Sequence, residues 1–178
     1  MVDHLLNNKS KQLIYESIYN NKPMIKTPPT EDVHTVPFVD LERYMGIWYE
    51  ISSYPQWFEK GMTDVSALYV LKEDCVKVIN SGYKNGKLRR VNGRALIVEG
   101  FGNARLKVSF FRPFYGKYWI IDLASDYSWV VVSNPRRSTL WILCRTETMD
   151  ESLYQSITDR LRSNGFDTSL LVRMQHNG

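Results

Sequence analysis

The chain has 178 residues, 43% hydrophobic and 24% charged. Those are the proportions of one ordinary globular domain, not of a disordered, collagen-like or coiled-coil chain. The formal charge of +4, from 23 Lys and Arg against 19 Asp and Glu, is mild, and the densest basic clusters are only two pairs, Arg89 with Arg90 and Arg136 with Arg137. This excludes the basic stripe of a nucleic-acid binder, although it suits contact with an anionic membrane surface.

Residues 1–37 differ from the rest and read as a polar leader or arm. Leu13, Ile14, Ser17 and Ile18 fall on one face of a short predicted helix. Pro23, Pro28, Pro29 and Pro37 then make 22–37 an extended linker, either a leader or a strap across the body. No uninterrupted apolar run of the ~7–15 residues needed by a secretory signal occurs here, and no Cys lies near the start to take a lipid. No stretch approaches the ~20 apolar residues that span a bilayer as a helix. As it stands the sequence predicts a cytoplasmic or peripheral membrane protein, or one whose signal has been removed.

From Gly46 on, 38–178 reads as one domain. Strands are predicted over 46–53, 64–71, 76–83, 89–98, 104–111, 117–123, 129–133 and 139–145, a spacing of roughly 8–12 residues that suits an antiparallel sandwich or barrel. The breaks carry turn chemistry: Glu73-Asp74, Asn85-Gly86, 100–103, 113–116, Ser125-Asp126 and Asn134-Pro135. Asn85-Gly86 is the strongest, since both residues accept φ > 0 and suit a type I′ hairpin. Nothing of crossover-helix length separates the strands, so a parallel sheet is excluded. The aromatic excess of seven Phe, five Trp and eleven Tyr also favours strands. Eight successive strands suit an up-and-down barrel, which has no free edges.

One amphipathic helix follows. Thr148 and Glu151 read as its capping box, and Leu153, Ile157 and Leu161 recur on one face. Gly165 stands where a left-handed cap is expected, with Phe166 closing the end. A last short strand is predicted over 170–174. Both faces of the predicted strands 64–71 and 139–145 are largely apolar. One face should therefore line the barrel interior and the other should pack under the helix. An eight-stranded interior is either filled by side chains or holds one small ligand.

Catalytic and metal chemistry is poorly supplied. The three histidines, His4, His34 and His176, lie in the first 35 or last few residues. The body therefore offers no Ser-His-Asp or Cys-His site and no His-ligated zinc or haem. Cys75 and Cys144 match no metal motif and read as two free thiols. No cofactor is called for.

Gly46-Ile47-Trp48-Tyr49-Glu50-Ile51 resembles the G-x-W motif that opens the first strand of lipocalins. Asp126-Tyr127 resembles the second lipocalin motif, and Arg145 after Trp141-Ile142-Leu143-Cys144 the third. The segments 58–61, 106–111, 113–116 and 140–145 are similar to the subgroup of bacterial lipocalins, apolipoprotein D and temperature-induced lipocalins. The resemblance spans about residues 38–175, in the right order. It implies an all-β fold: an eight-stranded up-and-down antiparallel barrel with one C-terminal α-helix packed on its outside. It also implies that Trp48 and Arg145 close one end of the barrel by a cation–π contact. Tyr69, Asn80, Phe110, Tyr118 and Trp141 are implied to point into the cavity as ligand-binding residues.

The function this implies is non-catalytic binding, transport or storage of a small hydrophobic ligand, a fatty acid or lysophospholipid. The partners implied are that ligand and a membrane touched peripherally, with no nucleic acid; a homodimer stays open. The bacterial lipoprotein members would place the chain at the outer membrane. The chain lacks their signal and lipid-bearing Cys, and also the Pro-rich apolar loop of the plant members. Two other classes stand beside the carrier: an interaction protein acting through its leader, and a lipocalin-type enzyme with a cavity thiolate. Cys75 falls at a turn and Cys144 on the face opposite Trp141, so neither is expected to reach the cavity. The open rim, over 54–61, 80–87 and 111–118, carries Lys60, Lys84, Lys87, Arg112 and Lys117 against the single acid Glu59, a net positive mouth for anionic heads.

Overall fold

The computed structural model describes residues 33–56 and 59–177. A short helix α1 (Leu41–Tyr44) leads into eight strands: β1 (Gly46–Ser53), β2 (Met62–Leu71), β3 (Val76–Lys84), β4 (Lys87–Ile97), β5 (Arg105–Phe111), β6 (Phe114–Leu123), β7 (Trp129–Ser133) and β8 (Leu140–Cys144). Helix α2 (Glu151–Ser163), a 3-10 turn (Thr168–Leu170) and the two-residue β9 (Val172–Arg173) complete the chain. Each of the eight strands pairs antiparallel with the next, β8 returns to β1, and β1 also pairs with β2. The expected up-and-down barrel is therefore closed, which leaves no long edge to pair with another chain.

Closure turns on how β1 divides its edges. Residues 46–49 pair with β2, from Gly46 opposite Tyr69 to Tyr49 opposite Ser66. On the other edge Tyr49 to Ser53 run against β8, with a register shift between Glu50 and Ser52. Where β1 leaves β2, its free edge is covered by β9 at Ser52 and Ser53. Asn85 and Gly86 both take positive φ, 52° and 70°, as the type I′ reading of that hairpin requires.

The two apolar faces separate two cores. Inside the barrel Trp48, Tyr69, Val78, Leu106, Ile120, Val132 and Leu143 form one cluster, joined from below by Val39 and Tyr44. Outside it, Ile51, Val131, Leu140, Ile142 and Cys144 meet Tyr154, Ile157 and Leu161 of α2. Ile157 is fully buried there, a contribution of about 1.5–3 kcal/mol. Helix α2 ends in a Schellman motif: Phe166 N–H donates to the Leu161 carbonyl at 3.0 Å and Gly165 N–H to Arg162 at 3.1 Å. Gly165 has φ +78°, the conformation a glycine takes most readily.

Several sequence expectations are corrected. The α2 cap is Asp150, whose carboxylate accepts from Leu153 N–H at 3.0 Å, and not Thr148. Asp150 stands immediately before the first helical residue, so its side chain is the one that reaches the free amides. The connection between β5 and β6 is only Arg112-Pro113. Gly116, read as part of a turn, sits inside β6 opposite Val108. The last strand is shorter than expected because Leu170 is taken into the 3-10 turn capped by Asp167. Helix α1 was not expected; four residues show no periodicity, and Asp40 caps it by accepting from the Glu42 and Arg43 amides.

The helix expected around Leu13 to Ile18 lies outside the described residues. The described part of the arm runs along the barrel, with Val36 N–H donating to Ile120 O at 3.0 Å and Val39 N–H to Gly102 O at 2.8 Å.

Candidate functional site

One end of the barrel is sealed. Trp48 is fully buried, and its indole N–H donates to the Tyr44 carbonyl at 2.9 Å. The Arg145 guanidinium lies 3.7 Å from the Trp48 ring centroid. Its N–H groups donate to the carbonyls of Ile47 at 2.8 Å, Arg43 at 2.8 Å and Tyr44 at 3.1 Å. One side chain thus ties β1 to α1 and holds a cation on an aromatic face, an arrangement that both contacts strengthen.

Above this plug the interior opens into a cavity. The cavity has a volume of about 170 Å³ and opens to solvent at its mouth. Its walls are mostly apolar: Val65, Ala67, Val78, Val108 and Leu143 beside the aromatic rings. The sequence singled out Tyr69, Asn80, Phe110, Tyr118 and Trp141; all five line this one cavity, and Trp48 forms part of its floor. They come from β2, β3, β5, β6 and β8 respectively, each on the inward phase of its strand. Gly93 of β4 makes room for Phe110, because a Cβ there would stand 2.7 Å from Phe110 Cδ1.

Polar groups occupy two levels. Near the floor the Tyr118 hydroxyl lies 2.7 Å from that of Tyr44 and 3.0 Å from that of Tyr69. Burial pushes the Tyr69 phenol up to about 12 and raises those of Tyr44 and Tyr118 well above the ordinary phenol value. These are neutral hydroxyls bonded to one another, which satisfies them without a ligand.

Higher on the wall stand Glu50 of β1 and Glu59 of the β1–β2 connection, both facing the cavity. Glu50 is only 3% exposed, and its Oε1 has no hydrogen-bond partner. Glu59 Oε2 and Asn80 Oδ1 are likewise buried and unpartnered. Burial raises the Glu50 carboxyl well above the carboxylate range, with only the Ser53 hydroxyl acting against it. Burial raises Glu59 too, and the charge of Glu50 raises it further.

The sequence reading passed over Glu50 and treated Glu59 as a solvated rim acid. The signal was available for Glu50: it lies two residues beyond Trp48, so strand alternation places both on one face. For Glu59 no local pattern marks an inward turn. Tyr44, also missed, reaches the floor from α1.

The thiols are elsewhere. Cys144 packs under α2 with its Sγ 3.2 Å from Thr146 Oγ1. Cys75 sits at the β2–β3 turn, where burial first and then Asp74 push its thiol up. Both are unpaired. Among the described residues no group of His, Cys, Asp and Glu is placed to hold a metal ion.

A closed antiparallel barrel, plugged at one end and hollow at the other, with a helix on its flank, defines a calyx protein that takes small hydrophobic molecules. The model of the lipocalin-like domain matches residues 39–176, and the chain belongs to the lipocalin family. It is 39% identical over 155 residues to the outer membrane lipoprotein Blc of Escherichia coli, covering 85% of this chain and 87% of that protein. Temperature-induced lipocalin-1 of Arabidopsis thaliana is 35% identical over 151 residues, covering 79% and 81%. Among solved structures, insecticyanin of the tobacco hornworm Manduca sexta superposes with a TM-score of 0.68 at 18% identity, covering 83% of this chain and 86% of that one. That likeness concerns the fold alone.

Proposed function

We propose that this protein is a non-catalytic carrier of a single-chain lipid, a fatty acid or lysophospholipid, held in the calyx with its alkyl chain against Val78, Val108, Phe110, Leu143 and Trp141. The observation that carries this reading is the cavity itself. Its apolar walls surround space that side chains leave empty, and removing an alkyl chain from water into such a space is favourable by roughly 0.8 kcal/mol per buried CH₂. Tyr69, Asn80, Tyr118 and Trp141 supply the few polar edges that orient a ligand. The absence of catalysis is supported by the thiols lying outside the calyx.

Peripheral membrane contact fits the same reading. Tyr83 and Leu88 are paired across the β3–β4 hairpin and exposed, as is Phe111 at the β5–β6 tip. Lys84, Lys87 and Arg112 are their sequence neighbours. Apolar side chains flanked by cations suit an anionic lipid surface, and lie where a lipid would enter.

The test is titration of a fluorescent fatty acid while Trp emission is followed, together with organic extraction and mass spectrometry of what co-purifies. Saturable quenching at micromolar probe, lost in Trp141→Phe, is the expected result. No saturable binding of any fatty acid or lysophospholipid overturns the reading.

A further inference from the structure

The acids on the calyx wall have no structural task that accounts for them. Among the described residues Glu50 makes no ion pair, and its Oε1 is buried without a partner. Left so, a buried carboxyl is costly, by desolvation if charged and by an unmade hydrogen bond in either state. The oxygens of Glu50, Glu59 and Asn80 that lack partners all border the same cavity. Two of these three acceptors can carry negative charge and stand near enough for the charge of Glu50 to raise Glu59, which asks for a donor that is positive and brings several N–H groups.

We propose that Glu50 and Glu59, with Asn80, form a binding site for the protonated primary amine of an alkylammonium-type amphiphile in the calyx.

This rests on the carrier reading and adds to it the chemistry of the head group. An ammonium has three donors to share among the unpartnered oxygens, and charge-assisted bonds of this kind are the strong ones. The alkyl chain then runs against the apolar wall. A carboxylate at the same level meets two acids and is disfavoured, so a fatty acid has to keep its head away from β1.

The groups that face the pair are few. Lys117 and Tyr118 border the cavity from β6, Tyr69 from β2, and no ionisable side chain of β8 faces inward. On the outer side of β1, His176 Nε2 donates to the Glu50 carbonyl at 2.7 Å, and Arg173 of β9 is engaged with Glu151. Neither Lys117 nor Arg173 holds the Glu50 carboxyl in its charged form: burial raises it and only the Ser53 hydroxyl opposes that. Without ligand the pair therefore still holds a proton at neutral pH, with Glu50 raised to about 7 and Glu59 above it. An ammonium that binds lowers both carboxyls and expels a proton. Affinity should rise as pH climbs through the raised carboxyl range, until the amine itself deprotonates near ~10.4.

The experiment compares dodecylamine, dodecanol and dodecyltrimethylammonium at pH 5.5 and 8.5 by calorimetry in two buffers of different ionisation enthalpy. The amine is expected to bind ~10-fold or more tighter than the alcohol at pH 8.5, with proton release, and to approach it at pH 5.5. The quaternary probe, which carries charge but no N–H, should fall between them. Glu50→Gln and Glu59→Gln should each cut the amine's advantage over dodecanol and the proton release, with circular dichroism showing the barrel still folded. If the alcohol binds and the amine does no better at pH 8.5, or keeps its advantage in both variants, the amine site is wrong and the carrier reading stands. If none of the three probes binds, the amine site is wrong, and the fatty-acid titration alone decides the carrier reading.

Discussion

At Arg145 three chain segments converge on one guanidinium: α1 through the carbonyls of Arg43 and Tyr44, β1 through that of Ile47 and the face of Trp48, and the β6–β7 turn through that of Tyr127. Trp48 also floors the cavity, but these contacts tie the barrel end together, so the role to expect is closure. Trp48→Ala should cost ~3–5 kcal/mol, the usual penalty for emptying a packed aromatic site. Arg145→Ala should also destabilise, because it removes the cation from the Trp48 face and the charge-assisted bonds to the α1 and β1 carbonyls. Chemical denaturation and ligand titration together check this: a variant that melts like the parent yet loses ligand would assign these residues to binding instead. Glu50 presents the opposite case. Its carboxyl holds its proton to higher pH in the folded chain than in the unfolded one. Between those two values the folded state binds more protons, so stability falls as pH rises. Glu50→Gln removes that loss. It should be stabilising by on the order of 2 kcal/mol at pH 8, and near neutral at pH 4 where both carboxyls are protonated in the fold. Melting temperatures of the two proteins across that range test it; equal gains at both pH values would mean that ionisation is not the cause.

Among the elements, the strands were legible because period-two alternation and turn residues agree along the chain, as at 46–53 and 129–133. What escaped was set by neighbours rather than by local pattern. Helix α1 is four residues long and depends on Asp40, whose own N–H donates to the Tyr127 hydroxyl 87 residues away at 2.8 Å. Gly116 looks like a breaker in sequence, yet the facing strand accepts it opposite Val108. Thr148 and Glu151 fit a capping pattern by spacing alone, and Asp150 lies closer to the free amides. That correction makes a discriminating prediction. Asp150→Ala should lower stability by ~1 kcal/mol, as loss of an N-cap does, whereas Thr148→Ala should stay within ~0.5 kcal/mol of the parent. At the other end Gly165→Ala should cost about 1 kcal/mol, because φ +78° suits glycine alone among the two. Urea denaturation resolves differences of this size; a larger loss in Thr148→Ala than in Asp150→Ala would restore the capping box.

On the scale of the whole molecule, the calyx was legible because inward and outward faces alternate in known phase from Trp48. Its charge was legible only in part. Lys60, Lys87 and Arg112 are exposed at the loop tips and Lys117 is exposed within β6, and none of them forms an ion pair among the described residues. The acids were misjudged, because Glu50 is buried and faces inward and the half-buried Glu59 borders the same cavity. The mouth is thus divided: acids on the β1 side, cations on the tips of β3–β4 and β5–β6. An anionic head that stays in water beside those tips gains attraction without being buried, and such attraction weakens as salt shortens the Debye length from about 10 Å at 0.1 M to 3 Å at 1 M. Oleate should therefore bind several-fold tighter than oleyl alcohol in low salt, and the two should converge in high salt. Lys87→Glu combined with Arg112→Glu should erase the low-salt difference and leave the alcohol untouched. Fluorescence titrations of both ligands at the two salt concentrations decide the matter. Equal affinities with no salt dependence would leave these cations as solubility residues around a mouth that selects by apolar fit alone.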